Sequence, residues 1–300
     1  MDVQTRSRER LAELLGDIAV EEGLRPTTID GVHVFRGSTS IPRAPMVYRP
    51  HIIIVGQGRK RAYLGGEVYT YDPAHYLVLA VPLPAECDAE ASPGEPILMV
   101  SIDVDATLVG ELLLEIDDLA PPPVGTPRGI SATSMTPELA GAVIRLLESL
   151  KSPIDSRILG HQIVREVIYR VLKGEQGGAL RALASRDDHF TRIARVLRHI
   201  HTEYAKPIDI QELARRAGMS TSVFHHQFKL VTATSPLQYI KRIRLDRART
   251  LMALDGYNAG SAARAVGYES ASQFGREFKR LFRMTPIEDA ERSRGRLVAG

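Results

Sequence analysis

The sequence has one cysteine, Cys87, in 300 residues. No disulfide can close within the chain, and no cysteine-rich zinc site can form. It also lacks any apolar run near the roughly 18 residues that a membrane span needs. Its opening stretch, Met1 to Arg10, is charged rather than apolar, unlike a secretory leader. A cytoplasmic protein with no membrane partner is the expectation. Clustered metal ligands are missing as well. His33, His51, His75, Glu86 and Cys87 fall in one region, but no spaced His-x-His pair with a glutamate stands among them. A catalytic metal needs three or four convergent ligands, so no metal, cofactor or catalytic residue is assigned.

What is present is the composition of a globular chain, 44% hydrophobic and 25% charged, long enough for two domains. The charge is unevenly shared. Residues 188 to 300 hold 20 Lys and Arg against 11 Asp and Glu, a net +9, whereas residues 1 to 187 hold 19 against 25, a net −6. A basic last third is the electrostatic footprint of a nucleic-acid binder.

That third contains an internal repeat. Ser220, Ser222, Phe224, Phe228, Lys229 and Pro236 recur fifty residues later as Ser270, Ser272, Phe274, Phe278, Lys279 and Pro286. Each copy reads as a serine-capped helix whose two phenylalanines, four residues apart, face inward. The opposite face then carries Ser222, His225 and His226 in the first copy and Ser272, Gly275 and Arg276 in the second, followed by Lys229 and Lys279. Upstream of each lies a small-residue helix ending at a glycine, Gly218 or Gly267. Helix, glycine turn and polar-faced helix make a helix-turn-helix pattern. His225 and His226 are adjacent, so on a helix they point about 100 degrees apart and do not chelate one ion.

Upstream, Leu11, Leu14, Leu15 and Ile18 predict an amphipathic helix closed off before Pro26. Between Gly31 and Ile102 the spacing predicts strands at Val32 to Phe35, Ile52 to Val55, Arg61 to Leu64, Val68 to Tyr71, Tyr76 to Ala80 and Ile97 to Ile102. Gly65-Gly66 suits a hairpin turn, and Pro93-Gly94 is another break. The even spacing argues for a β-barrel or sandwich. Arg36, His51, Tyr63, Tyr69 and His75 are candidate lining groups for a small ligand within it.

Three apolar helical patterns follow, around Leu108 to Leu113, Leu139 to Leu150 and Ile158 to Val171, separated by Pro121-Pro122-Pro123 and Ser152-Pro153. They can pack on the barrel or join two copies in a homodimer. The domain boundary is expected near Arg186 to His189. Past it, Asp209 and Glu212 form a capping-box pair, with Ile208 and Leu213 as the flanking staple. A long helix capped by Ser235 then continues one face through Leu237, Ile240, Arg244, Leu245, Ala248, Leu251 and Met252.

These residues resemble the AraC family of bacterial transcription regulators. The carriers are Glu212-Leu213-Ala214, Met219-Ser220, Phe224, Phe228-Lys229, Ser235-Pro236, Arg244-Leu245 with Ala248, Gly267-Tyr268, Ser272-Gln273-Phe274, Phe278-Lys279 and Pro286. Tyr48-Arg49-Pro50, Gly56-Gln57-Gly58-Arg59-Lys60, Tyr76-Leu77, Leu83-Pro84 and Glu90-Ala91-Ser92 look like the cupin-like N-terminal domain of one AraC subfamily. The resemblance implies an α+β chain of two domains. Residues 1 to 187 would form a cupin-like barrel with flanking helices that senses a signal or dimerises, and residues 188 to 300 a promoter-DNA reader with two helix-turn-helix units joined by a long helix.

The same resemblance implies base reading by Ser222, His225 and His226 in the first unit and by Ala271, Ser272, Gly275 and Arg276 in the second. Arg276 is the strongest reader, because a guanidinium pairs with guanine O6 and N7 in bidentate fashion. Lys229, Lys279 and Arg280, with the helix-start amides at Ser220 and Ser270, are expected on phosphates. A small-molecule effector and RNA polymerase are the other implied partners. The alternative is a cupin-like metal enzyme with an accessory DNA-binding domain. The family often has glycine at the positions of Ala233 and Arg283, so a left-handed backbone kept there would cost roughly 1 to 2 kcal/mol.

Overall fold

A computed structural model describes residues 3–92, 94–116, 126–175, 177–184 and 189–298. The Pro121-Pro122-Pro123 separator, Pro93 of the second turn, and Arg186 to Asp188 of the expected boundary lie outside the described residues.

The chain opens with α1 (Val3–Ile18), whose Leu11, Leu14 and Leu15 are buried. It ends well before Pro26, because Gly23–Pro26 is drawn into a sheet as β1 against β2 (Val32–Gly37). The strands β3 (Ile41–Tyr48), β4 (His51–Gln57), β5 (Arg59–Leu64), β6 (Glu67–Tyr71), β7 (His75–Leu79), β8 (Leu83–Glu90), β9 (Ile97–Asp103) and β10 (Ile130–Ser134) complete two antiparallel sheets. One has the order β1-β2-β9-β4-β7-β10 and the other β3-β8-β5-β6. The β5–β6 turn is tight because Gly65 and Gly66 both take positive φ, 61° and 84°, which non-glycine residues adopt only at a cost.

Register sets which side chains face the space between the sheets. Val55 pairs with Met99, Ile53 with Ser101 and Leu77, and Phe35 with Met99, so His33, Phe35, His51, Ile53, Val55, Met99 and Ser101 share the inner face of the larger sheet. Lys60 and Ala62 of β5 lie beside Ala89 and Cys87 of β8, which puts Ala85, Cys87 and Ala89 inward and Glu86, Asp88 and Glu90 outward.

Helices α2 (Ala106–Glu115), α3 (Pro137–Ser149), α4 (Pro153–Lys173) and α5 (Gly178–Ala184) pack on one another and, through α3, on α1, which lies on β4 and β9 of the larger sheet. Asp105, Thr136 and Ser152 cap the first three by accepting backbone N–H groups. The remaining chain is helical: α6 (His189–Glu203), α7 (Ile210–Arg216), α8 (Thr221–Thr232), α9 (Pro236–Leu254), α10 (Ala259–Ala265), α11 (Ala271–Phe282) and α12 (Pro286–Val298). The expected plan, a sheet-rich N-terminal part and an all-helical C-terminal part, is therefore the observed one.

Two buried clusters partition the molecule in a way the sequence reading did not anticipate. The larger runs without a break from Leu11 through the sheets and into Phe190, Leu213, Phe224, Phe228, Tyr239 and Ile243. The smaller holds Leu245, Ala248, Met252, Ala262, Ala263, Val266, Tyr268, Phe274, Phe278, Phe282 and Ala290. The N-terminal half of α9 thus belongs to one core and its C-terminal half to the other.

Candidate nucleic-acid interface

The two helix-turn-helix units are built on one plan, the second with one residue more, Glu269, between its turn and its second helix. In the first, the Asp209 carboxylate accepts from Gln211 N at 3.0 Å and starts α7. Gly218 turns the chain at φ 63°, and Met219 N donates to Ala214 O at 3.0 Å. In the second, Asn258 accepts from Ser261 N at 2.8 Å, Gly267 turns at φ 84°, and Tyr268 N donates to Ala263 O at 2.9 Å. Ser220 and Ser270 then cap α8 and α11 by accepting from Val223 N at 3.4 Å and Gln273 N at 3.2 Å.

Glu212 does not close the expected capping box. Its carboxylate pairs with Arg216 at 3.0 Å and Arg215 at 2.6 Å, because two guanidinium groups three and four residues on outbid one backbone N–H.

Phe224 and Phe228 are buried in the first unit and Phe274, Phe278 and Phe282 in the second, which fixes the rotation of each helix. Ser222, His225, His226 and Lys229 emerge exposed on α8, and Ala271, Ser272, Arg276, Lys279 and Arg280 exposed on α11. Gly275 is half-buried between them, with open space where a Cβ would stand. The Ser222 hydroxyl shares a hydrogen bond with Ser220 at 3.2 Å. Each candidate set thus sits on one helix face with its polar ends outward.

The connecting helix α9 is capped by Ser235, and Ile240, Leu245, Ala248 and Met252 of its expected face are buried, but the start of that face is rotated. Leu237 is 53% exposed, and Tyr239 and Ile243 are inside instead. Arg244, which the sequence only marked as a family match, donates Nε to Tyr204 O at 2.8 Å, Nη2 to Lys206 O at 2.9 Å and Nη1 to Gly267 O at 3.1 Å. One side chain therefore ties the end of α6 to the turn of the second unit.

Glu277 does similar work for α11, accepting from Lys241 at 2.7 Å, Tyr268 at 2.7 Å and Gln273 at 3.2 Å. Burial works against this carboxylate, but those three bonds prevail and hold its pKa below the ordinary value. The exposed Gln273 is a further polar group at the start of α11 that the base-reading set omitted.

The end of α8 is docked on the sheet-rich part. Gly129 N donates to Val231 O at 3.0 Å, Thr126 Oγ1 donates to Gln227 Oε1 at 2.6 Å, and a Cβ on Gly65 would stand 2.5 Å from that of Ala233. From α9, Tyr239 donates to Pro82 O at 2.8 Å and Arg242 to Pro84 O at 3.2 Å.

The five candidate pocket residues do not meet at one point. Arg36 lies on the outer side of its sheet and donates to Ala19 O at 3.3 Å. Tyr63 also points outward, donating to Asp88 at 2.6 Å beneath the Arg43 guanidinium. His75 pairs with Asp72 at 3.0 Å in a turn, and Tyr69, at the sheet edge, donates to Glu67 at 2.8 Å. Only His51 points into the middle of the space between the sheets. Burial, and then the charge of Lys60, lowers its pKa to about 4. No three His, Cys, Asp or Glu residues converge on a metal position among the described residues.

Comparison with known proteins adds the lineage. Residues 28–179 match the family model described as the AraC-type transcriptional regulator N-terminus, and residues 213–292 match that of a helix-turn-helix domain. The probable transcriptional regulator LumQ of Photobacterium leiognathi is 34% identical over 88 residues, 29% of this chain and 36% of that protein. The HTH-type transcriptional regulator AlkR of Acinetobacter baylyi is 33% identical over 94 residues, 31% of each. The chain thus spans about a third of the length of these curated relatives. Among solved structures, unsaturated-fatty-acid-bound ToxT of Vibrio cholerae superposes with a TM-score of 0.60 at 11% identity, over 86% of this chain and 93% of that one. This likeness concerns the fold.

Proposed function

This chain belongs to the AraC-type transcriptional regulators, and from that premise we propose that it reads promoter DNA with α8 and α11 in successive major-groove segments. The observation that carries the reading is the duplicated unit: two serine-capped helices, each entered through a left-handed glycine turn and each presenting its polar face to solvent. The 19-residue α9 between them is about 28 Å long by helix rise, comparable to the roughly 34 Å separating successive major-groove faces. Base edges are assigned to Ser222, His225, His226, Ala271, Ser272, Gly275 and Arg276. Phosphates are assigned to Lys229, Lys279, Arg280 and the helix starts at Ser220 and Ser270.

Residues 1 to 187 act as the sensing and dimerising part in this proposal. A small-molecule effector or a second copy of the chain shifts the balance between conformations that differ in DNA occupancy or in contact with RNA polymerase. The docking of α8 and α9 on the sheets supports such a route. The matched relatives bear the names of regulators, which supports a non-enzymatic role.

Fluorescence anisotropy against fragments of the chain's own upstream region, with unrelated DNA as competitor, tests the reading. Arg276→Ala is expected to relax preference at one base position by about 1 to 3 kcal/mol. Lys279→Ala is expected to weaken all sequences alike and to reduce the salt slope by about 0.9. Uniform weak binding to every fragment, unchanged in both variants, would refute it.

A further inference from the structure

Lys60 is 6% exposed, and its ammonium group has no carboxylate within ion-pair range among the described residues. Its neighbours are the Met99 sulfur at 3.7 Å and the Phe35 ring at 5.1 Å from the centroid. A buried amine without an oxygen partner is costly by several kcal/mol, and the acids of the adjacent strand β8 are barred from helping by the pleat. Glu86, Asp88 and Glu90 all project from the outer face of β8, where they pair with Arg43, Arg61 and Arg59. The inner face of β8 offers only Ala85, Cys87 and Ala89.

Across the same space His51 Nε2 is buried with no hydrogen-bond partner. Two nitrogen groups that can donate therefore face one interior, and neither is bonded to an oxygen among the described residues. The surroundings are largely apolar, with Phe35, Ile53, Val55, Ala62, Leu64 and Met99, the last a flexible thioether that can leave its place on Nζ. The tyrosine hydroxyls of Tyr48 and Tyr71 are bonded to each other at 3.1 Å, and Ser101 and His33 complete the polar groups of that face.

We propose that the space between the two sheets binds a small organic acid with an apolar body, its carboxylate held by Lys60 and His51. A carboxylate only accepts hydrogen bonds, which is what these two groups lack. This deepens the regulatory reading above by naming the class of effector, and it rests on that reading for its biological meaning. The link outward is short. Strand β8 pairs with Lys60 at Ala89, and the carbonyls of Pro84 on the same strand and Pro82 just before it receive Arg242 and Tyr239 of α9. Burial lowers the Lys60 pKa, and a carboxylate placed beside the amine acts against that shift.

The experiment is isothermal titration of the full chain with butyrate, benzoate and octanoate, each beside its alcohol of matched skeleton. At least one acid is expected to bind with one-to-one stoichiometry about tenfold or more tighter than its alcohol, a difference of about 1.4 kcal/mol. Lys60→Met, similar in length and apolar, is expected to abolish that preference. Lys60→Gln replaces it as the test variant if the methionine chain does not unfold cooperatively. Equal affinity for acid and alcohol, retention of the preference in the variant, or no acid binding at about 5 mM, where millimolar affinity registers, would each overturn the site. Lys60-dependent binding that leaves DNA affinity unmoved would uphold the site and count against regulation through it.

Discussion

The two left-handed residues that follow the recognition helices give a direct test of how backbone strain is distributed. Ala233 has φ 56° and Arg283 φ 64°, and each closes its helix by donating its N–H to the carbonyl of Lys229 or Lys279. A non-glycine residue in this region costs about 1 to 2 kcal/mol, and glycine returns about 0.4 to 1 kcal/mol of that to the unfolded chain. Arg283→Gly is therefore expected to stabilise by about 0.5 to 1 kcal/mol. Ala233 differs because its methyl group lies against Gly65 of the β5–β6 turn. Losing one packed methyl costs about 0.8 kcal/mol, so Ala233→Gly should come out near zero. Urea unfolding followed by circular dichroism measures both, with the midpoint rising at constant slope for Arg283→Gly. Arg283→Ala is the control, since it removes the side chain and keeps the strain. A lower midpoint for Arg283→Gly, or a gain in Ala233→Gly as large as in Arg283→Gly, would refute the argument.

Three further outcomes are expected. Arg244→Ala removes the donor from three backbone carbonyls. It should cost about 3 kcal/mol in urea unfolding and lower affinity for a two-segment DNA site more than for either half alone. Tyr239→Phe strands Pro82 O and His201 Nε2, both bonded to the buried hydroxyl at 2.8 and 2.9 Å. It should cost about 2 to 4 kcal/mol and speed hydrogen exchange in α8 and α9. The third concerns pH. Burial, and then Arg247 and Arg49, lowers the His201 pKa from 6.5 to about 4. As pH falls through 6.5 the unfolded chain takes up a proton that the folded chain refuses until about 4, so stability present above 6.5 is lost across that window. His51 acts in the same direction. Asp246, raised to about 6 by burial, acts in the opposite one, its contribution being lost as pH rises from 3.8 to 6. His201→Gln should flatten the decline in urea midpoint between pH 6.5 and 4.5, and an unchanged slope would count against a neutral His201 in the fold.

The helix-turn-helix units were legible because their signals are local. A serine cap, two phenylalanines at i and i+4 and a glycine turn depend on neighbours within one or two turns. Six of the ten strands among the described residues were legible for a similar reason, as alternating β-branched runs. The missed ones had their pattern diluted. β3 contains Pro42 and Pro45, which it tolerates as an edge strand with a bulge. β8 alternates acids with Ala85, Cys87 and Ala89, whose small inward side chains do not register as a hydrophobic stripe. Lys60 entered the sequence reading only as part of the Gly56 to Lys60 family match, since it stands between two other basic residues, Arg59 and Arg61. Yet Ala62 and Leu64 on the same strand parity mark its side as the buried one. Arg36 and Tyr63 were chosen by residue type, and strand parity turns both outward.

The partition of the cores bears on how a signal could reach DNA. α8 and the first half of α9 share their buried cluster with the sheets, whereas α11 packs in a cluster of its own. A rearrangement between the sheets is therefore mechanically closest to the first reading helix. The second unit is joined to the first through the continuous α9 and the Arg244 and Lys241 bonds. Two similar local motifs thus stand in unequal positions. In the regulatory reading proposed above, a signal would reach the first through the core it shares with the sheets, and the second through α9 and the contact of α11 with β3. The asymmetry of their cores would then let one unit shift relative to the other.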